Sequence, residues 1–214
     1  MDLTEASAVI TGGASGIGEA SARKLSALGA RCVIVDLQDD KGEAVAKELG
    51  GLYVKADVAN EEQVQAAMDA AMEMGPLRAL VNGAGIGSAS RTVDRNGEPM
   101  PLAQFEFVIR VNLIGTFNCT RLGAATMAKT EPIDDDGQRG AIVNMASVAA
   151  FDGQTGQNAY SASKGGVVGM TLPIARDLVP LGIRVNTIAT GLINTPIYGA
   201  REPSDQSKDR LPKS

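Results

Sequence analysis

Three polar residues near the middle of the sequence have the types and the spacing needed to move a proton on and off an oxygen atom. Tyr160 and Lys164 are four residues apart, so in a helix they share one face. An ammonium beside a phenol favours the phenolate, which suits the phenol to general acid–base work near neutral pH. Ser147 follows the apolar run 141–146, which is typical of a buried strand, and its hydroxyl can hold a substrate oxygen. The set predicts chemistry on an alcohol or a carbonyl group.

The alternative interpretation is structural: a serine that ends a strand, and a helix with an interface tyrosine and a solvated lysine. Three glycines in the same predicted helix weigh against it. Gly165, Gly166 and Gly169 each cost a helix about 1 kcal/mol relative to alanine, so their clustering needs a reason. Close approach by another helix or by a ligand supplies one.

The composition excludes several classes of function. A formal charge of −5 without a basic cluster argues against nucleic acid as the main partner. No apolar run approaches the roughly 18 residues that a membrane span requires, so we expect no membrane partner. The N-terminus lacks a basic, apolar signal pattern, so a cytoplasmic protein is expected. Cys32 and Cys119 are expected to be buried free thiols, and without histidine or a cysteine cluster we expect no metal site.

Apolar strand-like runs alternate with helical stretches along the 214 residues. This alternation is typical of βαβ units, so the sequence predicts an α/β fold: a doubly wound parallel sheet, the Rossmann fold. Neither a repeat nor a linker interrupts it, and we expect a single domain over 1–214. The predicted strands are 6–10, 31–36, 52–56, 77–81, 141–146 and 183–188, and the predicted helices are 19–28, 39–49, 60–74, 102–129 and 157–179.

A glycine-rich turn, Thr11-Gly-Gly-Ala-Ser-Gly-Ile-Gly18, joins the first predicted strand to the first helix. Gly12 permits the tight turn, Gly16 lets the backbone approach a pyrophosphate at the helix N-terminus, and Gly18 allows close packing of the helix against the strand. A glycine turn that binds nothing is the alternative. The strand, turn, helix and following acidic residue stand in the order of a dinucleotide site, which favours binding.

Asp36 ends the second predicted strand, and it decides the expected cofactor. A carboxylate at this position accepts hydrogen bonds from an adenosine ribose and repels a 2′-phosphate. The neighbouring positions, Ser15 and Leu37, offer no cation to such a phosphate. The sequence therefore predicts NAD rather than NADP.

Two later strand ends fall on the same edge of the predicted sheet. Asp57-Val58 is expected to meet the adenine, and a helix cap is the alternative for Asp57. Asn82, Gly83 and Ala84 are expected to give the nucleotide a wall of small residues. Both stretches add to the predicted cofactor site.

Together these residues resemble the classical short-chain dehydrogenase/reductase family over essentially the whole chain. The resemblance implies that Tyr160 is the general acid–base, that Lys164 binds the nicotinamide ribose and that Ser147 holds the substrate oxygen. It implies that Asn112 steadies a water in a proton relay. Cofactor contacts are also implied for Ile17, Ile193 and Thr195, and a substrate contact for Gln157. The motifs that carry the resemblance are 11–18, 57–58, 82–85, Asn112, Ser147, Tyr160-x-x-x-Lys164 and Arg184-Val-Asn186.

Within that family, the stretches 88–104, 146–157 and 169–178 resemble the type-2 3-hydroxyacyl-CoA dehydrogenases. This implies NAD(H), an acyl-CoA or related secondary alcohol or ketone as substrate, and a homotetramer. Alternatives with the same active-site residues are a 3-oxoacyl carrier-protein reductase and a steroid or sugar alcohol dehydrogenase. A non-catalytic NAD(H)-binding scaffold is a further alternative, although a scaffold has no need of the complete Asn–Ser–Tyr–Lys set.

The sequence departs from the family pattern at three places. Gly83 and Thr190 stand where the family usually has a larger residue and a proline, and without the proline the loop after the sixth strand is expected to be less rigid. The sequence ends at Ser214, earlier than is usual in the family. We therefore expect the C-terminal part of the fold to be missing and the sixth strand to be an edge.

Overall fold

The computed structural model describes residues 2–193 and residue 195. The strands are β1 (Ser7–Thr11), β2 (Arg31–Asp36), β3 (Leu52–Lys55), β4 (Leu77–Asn82), β5 (Gly140–Ser147) and β6 (Ile183–Thr190). The helices are α1 (Gly16–Ala27), α2 (Asp39–Leu49), α3 (Glu61–Met74), α4 (Leu102–Ile109), α5 (Gly115–Ala128) and α6 (Asn158–Leu178). A π turn, Arg110–Ile114, joins α4 to α5, and short 3-10 turns cover Val148–Ala150 and Val179–Leu181.

All six strands pair in parallel in one sheet, in the order β3–β2–β1–β4–β5–β6. Successive residues of a strand point to opposite faces, and both faces are covered here. Val9, Val33 and Leu80 belong to a core on one face, packed with residues of α3 and α5. Ile10 and Ile34 belong to the core on the other face, packed with residues of α1 and α2. Helices on both sides of a parallel sheet confirm the predicted doubly wound fold.

The strand order reverses between β1 and β4, which lie side by side with Thr11 opposite Asn82. In open α/β sheets, ligands bind in the crevice beyond the carboxyl ends of the strands at such a reversal. The turns that follow β1 and β4 are the two glycine-rich stretches of the sequence. The topology therefore brings them together at one point.

A buried polar contact joins β4 to β5. Asn82 Nδ2 donates to Asn144 Oδ1 at 2.8 Å and to Thr120 Oγ1 of α5 at 3.0 Å. The two asparagines face each other in the strand register. Asn82 Oδ1 and Asn144 Nδ2 have no hydrogen-bond partner. Both asparagine side chains and Thr120 are buried.

Most predicted elements are confirmed to within a few residues, with two differences of consequence. The predicted helix 102–129 is interrupted by the π turn, in which Asn112 is fully buried. The helix predicted from 157 begins one residue later and runs on through Pro173. In the described part of the chain, β3 and β6 are the edge strands, and no helix there is long and apolar enough to cross a membrane. The prediction about the C-terminal part lies outside the described residues.

Arg78 is a buried cation that holds the loop between α5 and β5. Its guanidinium donates to Thr130 Oγ1 at 2.7 Å, to Glu131 O at 2.8 Å and to Arg139 O at 2.9 Å. Burial lowers the pKa of Arg78 below its ordinary value, and the positive charge of Arg139 adds to this effect. The loop therefore depends on Arg78 as a shared donor.

We expect Arg78→Met to lower the free energy of unfolding by about 2–4 kcal/mol, because a methionine keeps the apolar stem and leaves buried acceptors unpaired. Chemical denaturation measures the change. Arg184→Met, at an exposed position of β6, is the control and is expected to change stability little. Equal effects from the two variants would contradict this role of Arg78.

Candidate active site

A cavity of about 560 Å³ lies at the carboxyl edge of the sheet, where the strand order reverses. Most of the residues predicted to bind a cofactor line it, together with three of the four proposed catalytic residues, Ser147, Tyr160 and Lys164. The predicted residues on its walls are Gly12, Ser15, Gly16, Ile17, Gly18, Asp36, Asp57, Val58, Gly83, Ala84, Ser147, Tyr160, Lys164, Ile193 and Thr195. The structure thus brings together residues from the ends of all six strands and from α6.

The glycine-rich turn packs backbone directly against backbone. A Cβ on Gly18 would lie 2.1 Å from Gly12 O, and a Cβ on Gly12 would lie 2.7 Å from Ala84 N. Gly12 also has a φ of +65°, which other residues rarely adopt. A Cβ on Gly83 would lie 2.8 Å from Thr11 O, so the small residue at this position matches the narrow space beside it. Gly18 therefore serves the contact of α1 with the turn itself, rather than with a strand.

Asp36 holds the turn from the side of β2. One carboxylate oxygen accepts from Ala14 N at 3.1 Å, and the other accepts from Leu37 N at 2.8 Å and Gln38 N at 3.1 Å. The carboxylate faces the cavity that the turn borders. A negative charge is thus fixed at the end of β2, as the sequence predicted.

Asp57 does not cap a helix. Its carboxylate accepts from Arg110 Nη2 at 2.8 Å and from Ala59 N at 2.9 Å, while Asn60 Oδ1 accepts from Gln63 N and caps α3. The Asp57–Arg110 ion pair connects the wall beyond β3 with the start of the π turn. Val58 packs closely against Gly115 of α5, where a Cβ atom would lie 2.5 Å from Val58 Cγ2.

Lys164 is a nearly buried cation beneath Tyr160. Only 5% of its surface is exposed, and Nζ donates to Met145 O of β5 at 2.7 Å. Nζ lies 5.8 Å from the centroid of the Tyr160 ring, within the range of a favourable cation–π contact. Desolvation lowers the pKa of Lys164 from 10.5 to about 8. The amine can therefore change its protonation state near the pH at which an enzyme works.

Ser147 ends β5, and its Oγ accepts from Ala149 N at 3.1 Å. This bond uses an oxygen lone pair and leaves the hydroxyl hydrogen available for a substrate oxygen. Ser147, Tyr160 and Lys164 all line the cavity, so the three residues that the sequence singled out share one site.

Asn112 is fixed by the backbone of Ile86. Its Oδ1 accepts from Ile86 N at 2.8 Å, and its Nδ2 donates to Ile86 O at 3.0 Å and Ser163 Oγ at 3.1 Å. A Cβ on Gly85 would lie 3.2 Å from Asn112 Oδ1 and 3.5 Å from Lys164 Nζ. Asn112 therefore stands behind the cavity wall beside Lys164, and π turns are frequent at functional positions of this kind.

Besides Asn112, two predicted residues are missing from the described walls of this cavity. The Asn82 side chain points toward Asn144 of β5 and Thr120 of α5, and Asn82 is not among the described residues that line the cavity. Gln157 lines a second cavity of about 450 Å³, between the loop 88–101 and the start of α6, and its Oε1 accepts from Gln154 N. Asn158 ties that loop to α6 by donating to Ser90 O and Thr92 Oγ1.

Sequence reasoning missed some of the residues on the walls. Phe107 of α4 and Val111 of the π turn contribute apolar surface, and Lys41 of α2 contributes a cation near Asp36. Lys41 stands five residues after Asp36, at the start of the helix that leaves β2. A search for cations along that first turn, beyond the residue next to Asp36, would have found it.

Comparison with known proteins decides the family. The model of the short chain dehydrogenase family matches residues 6–206. The chain belongs to this family. As a short-chain dehydrogenase it is an oxidoreductase that uses a nicotinamide dinucleotide, which confirms the family, the fold class and the interpretation as an enzyme.

Its relatives share most of its length. The chain is 55% identical over 194 residues to the 3-hydroxyacyl-CoA dehydrogenase type-2 of Homo sapiens. The aligned residues are 89% of this chain and 74% of the human protein. The chain is 52% identical over 202 residues to the enzyme of the same name from Drosophila melanogaster, and the alignment covers 92% of this chain and 79% of that enzyme. The crystal structure of 3-hydroxyacyl-CoA dehydrogenase type-2 from Mycobacterium avium superimposes with a TM-score of 0.89 at 46% identity, over 94% of this chain and 80% of that one.

We expect the buried Lys164 to make stability depend on pH. Between pH 8 and 10.5 the unfolded chain holds a proton on this amine that the folded chain has lost, so the free energy of unfolding rises with pH in that window. Below pH 8 both states are protonated, and the folded state bears a burial penalty on the order of 3 kcal/mol.

Lys164→Met removes this titration. The difference in unfolding free energy between wild type and the variant, measured by denaturation from pH 7 to 10.5, is therefore expected to shift in favour of wild type as the pH rises. Comparing the two chains cancels the titration of tyrosines and thiols. A difference that stays constant with pH would show that the amine is not desolvated.

Proposed function

We propose that this short-chain dehydrogenase catalyses the reversible, NAD-dependent oxidation of a 3-hydroxyacyl-CoA to the 3-oxoacyl-CoA. The observation that carries the proposal is the buried Lys164 ammonium beside the Tyr160 ring, in the cavity that the glycine-rich turn borders. The substrate class follows from relatives at 52–55% identity that are named for it.

The residues of the cavity fit a dinucleotide. Gly12 and Gly18 let the turn after β1 and the start of α1 pack directly against neighbouring backbone, which brings the first amide groups of α1 to the cavity, where they can bind a pyrophosphate. Ser15 precedes α1 without a capping hydrogen bond from its side chain, so its hydroxyl is available to a phosphate. At the other end, Lys164 has two N–H donors beyond the one used on Met145, enough for a ribose diol.

NAD, when bound, supplies the acceptor for the hydrogen that leaves the alcohol carbon. Ser147 donates its hydroxyl hydrogen to the substrate oxygen and so orients it toward Tyr160. Tyr160, as the phenolate, takes the hydroxyl proton in oxidation, and as the neutral phenol it returns the proton to the substrate oxygen in reduction. The Lys164 ammonium stabilises the negative charge that forms on the phenol oxygen. Asn112, held on Ile86 beside Lys164, is the proposed position at which a relay water enters.

NAD is the proposed cofactor rather than NADP. The support is the Asp36 carboxylate, which is fixed by three backbone N–H groups at the end of β2. Such a charge accepts from ribose hydroxyls and repels a 2′-phosphate. A cytoplasmic location stays a prediction, consistent with the two buried free thiols of the described chain.

The proposal predicts NADH formation from NAD and 3-hydroxybutyryl-CoA, followed by absorbance. Tyr160→Phe keeps the ring and removes the proton carrier, so kcat is expected to fall by about 10²- to 10⁴-fold. Binding of NADH, measured by its fluorescence, is the control and is expected to persist in the variant.

Near wild-type turnover by Tyr160→Phe would refute the mechanism. Turnover of other secondary alcohols in place of the acyl-CoA would refute the substrate class and keep the mechanism. Tight binding of NAD without any hydrogen transfer would favour the scaffold alternative.

We also propose a homotetramer that uses α5 and α6 as contact surfaces. Ile114, Phe117 and Leu172 are exposed apolar side chains on or next to these helices. A Cβ on Gly169 of α6 would meet no described atom within 4 Å, which leaves room for the close approach of another helix.

Light scattering is expected to give four times the mass of one chain. Phe117→Glu is expected to lower that mass by placing a charge in the contact, whereas Leu28→Glu, an exposed apolar position at the end of α1, should not. A wild-type mass of one chain would overturn this arrangement.

A further inference from the structure

A line of polar contacts runs from the end of β2 into α2. Gln38 Nε2 donates to Asp36 Oδ1 at 3.3 Å, and Lys41 Nζ donates to Gln38 Oε1 at 2.8 Å. Asp36, Gln38 and Lys41 all line the cavity. A cation is thus held one amide away from the carboxylate that faces the adenosine ribose in the proposed complex.

Lys41 is not committed to another charge. Among the described residues on the cavity walls, the cations are Lys41 and Lys164, and Lys164 lies at the opposite, catalytic end. Of the acids near Lys41, Asp39 is already paired with Lys55 and accepts from Tyr53 Oη. Asp40 is outside the described walls of the cavity. In the described part of the chain Lys41 forms no ion pair, and its hydrogen bond goes to the neutral amide of Gln38.

We propose that Lys41 is a specificity-determining residue at the 2′ position of the adenosine ribose: it can bind a 2′-phosphate, and Asp36 is what prevents it. The proposal rests on the proposed binding of a dinucleotide in this cavity. With Asp36 in place, a phosphate would meet the carboxylate before it met the ammonium, and NAD is preferred. With the carboxylate removed, Lys41 becomes the partner of a dianionic phosphate, in the first turn of a helix, where anions are favoured.

This role is distinct from that of a cation next to Asp36 in sequence. Leu37 occupies that place and carries no charge, yet the first turn of α2 returns Lys41 to the same wall. Selectivity against NADP therefore depends on a single charge in this chain, and the residue that would bind the phosphate is already present.

The test compares two probes that differ only in the 2′-phosphate: adenosine 5′-monophosphate and adenosine 2′,5′-bisphosphate. Calorimetry gives the ratio of their affinities for wild type, Asp36→Ser, Asp36→Ser with Lys41→Ala, and Asp36→Ser with Lys47→Ala. Lys47 is an exposed lysine on the same helix that lies off the cavity walls, so it is the matched control. The ratio cancels any general loss of nucleotide binding.

Asp36→Ser is expected to raise the ratio in favour of the bisphosphate. Adding Lys41→Ala is expected to remove about three- to tenfold of that gain, the range for one partly exposed charged contact, and adding Lys47→Ala is expected to remove none. The contribution of Lys41 should also weaken as salt rises from about 0.05 to 0.5 M. Turnover with NADP relative to NAD should follow the same order.

An equal ratio in Asp36→Ser with and without Lys41→Ala would overturn the role of Lys41 and leave the proposed function intact. An equal loss from Lys47→Ala would do the same, because it would reveal a general electrostatic effect. Failure of wild type to bind adenosine 5′-monophosphate or NAD would instead overturn both proposals.

Discussion

The cavity depends on the close approach of three backbone segments. The turn after β1, the start of α1 and the turn after β4 meet at Gly12, Gly18 and Gly83, and side chains on these residues would overlap neighbouring backbone atoms. The contact fixes how far the first helix stands from the sheet. It leaves the amide groups at the helix start facing the crevice between β1 and β4. Asp36 reaches across from β2 to Ala14 and holds the turn in that position.

The end of the cavity that holds the proposed catalytic residues contains a buried charge, that of Lys164. Lys164 loses most of its hydration, and its compensation comes from the Met145 carbonyl and the face of the Tyr160 ring. Because Met145 lies two residues before Ser147, the same strand end that presents the serine also anchors the lysine. The relative positions of the three proposed catalytic residues are thereby set by one strand and one helix rather than by loops.

Most of the fold and of the candidate site could be predicted from the periodic patterns of the sequence and from the motifs at strand ends. The alternation of strands and helices identified the sheet, and the i, i+4 spacing placed Tyr160 and Lys164 on one face of α6. The sequence did not predict the direction of the Asn82 side chain or the π turn at Asn112, and each depends on particular contacts. An asparagine at the end of an apolar strand can face either the cavity or a neighbouring strand. Asn82 faces Asn144 and Thr120, which are its hydrogen-bond partners and lie far from it in the sequence. The π turn contains Asn112, which is bonded to Ile86 in a distant part of the sequence, and helical propensity does not encode such a contact.

The buried contact between Asn82 and Asn144 has a consequence for how the chain folds. The strands β4 and β5 are separated by roughly sixty residues, and their apolar side chains would pack almost equally well against several neighbours. A displaced pairing would break the Asn82–Asn144 hydrogen bond and leave more buried amide atoms unpaired than the two, Asn82 Oδ1 and Asn144 Nδ2, that lack a partner in the observed alignment. A pair of polar groups thus selects which strands become neighbours and in which register, and this selection places Ser147 at the same edge as the glycine-rich turn.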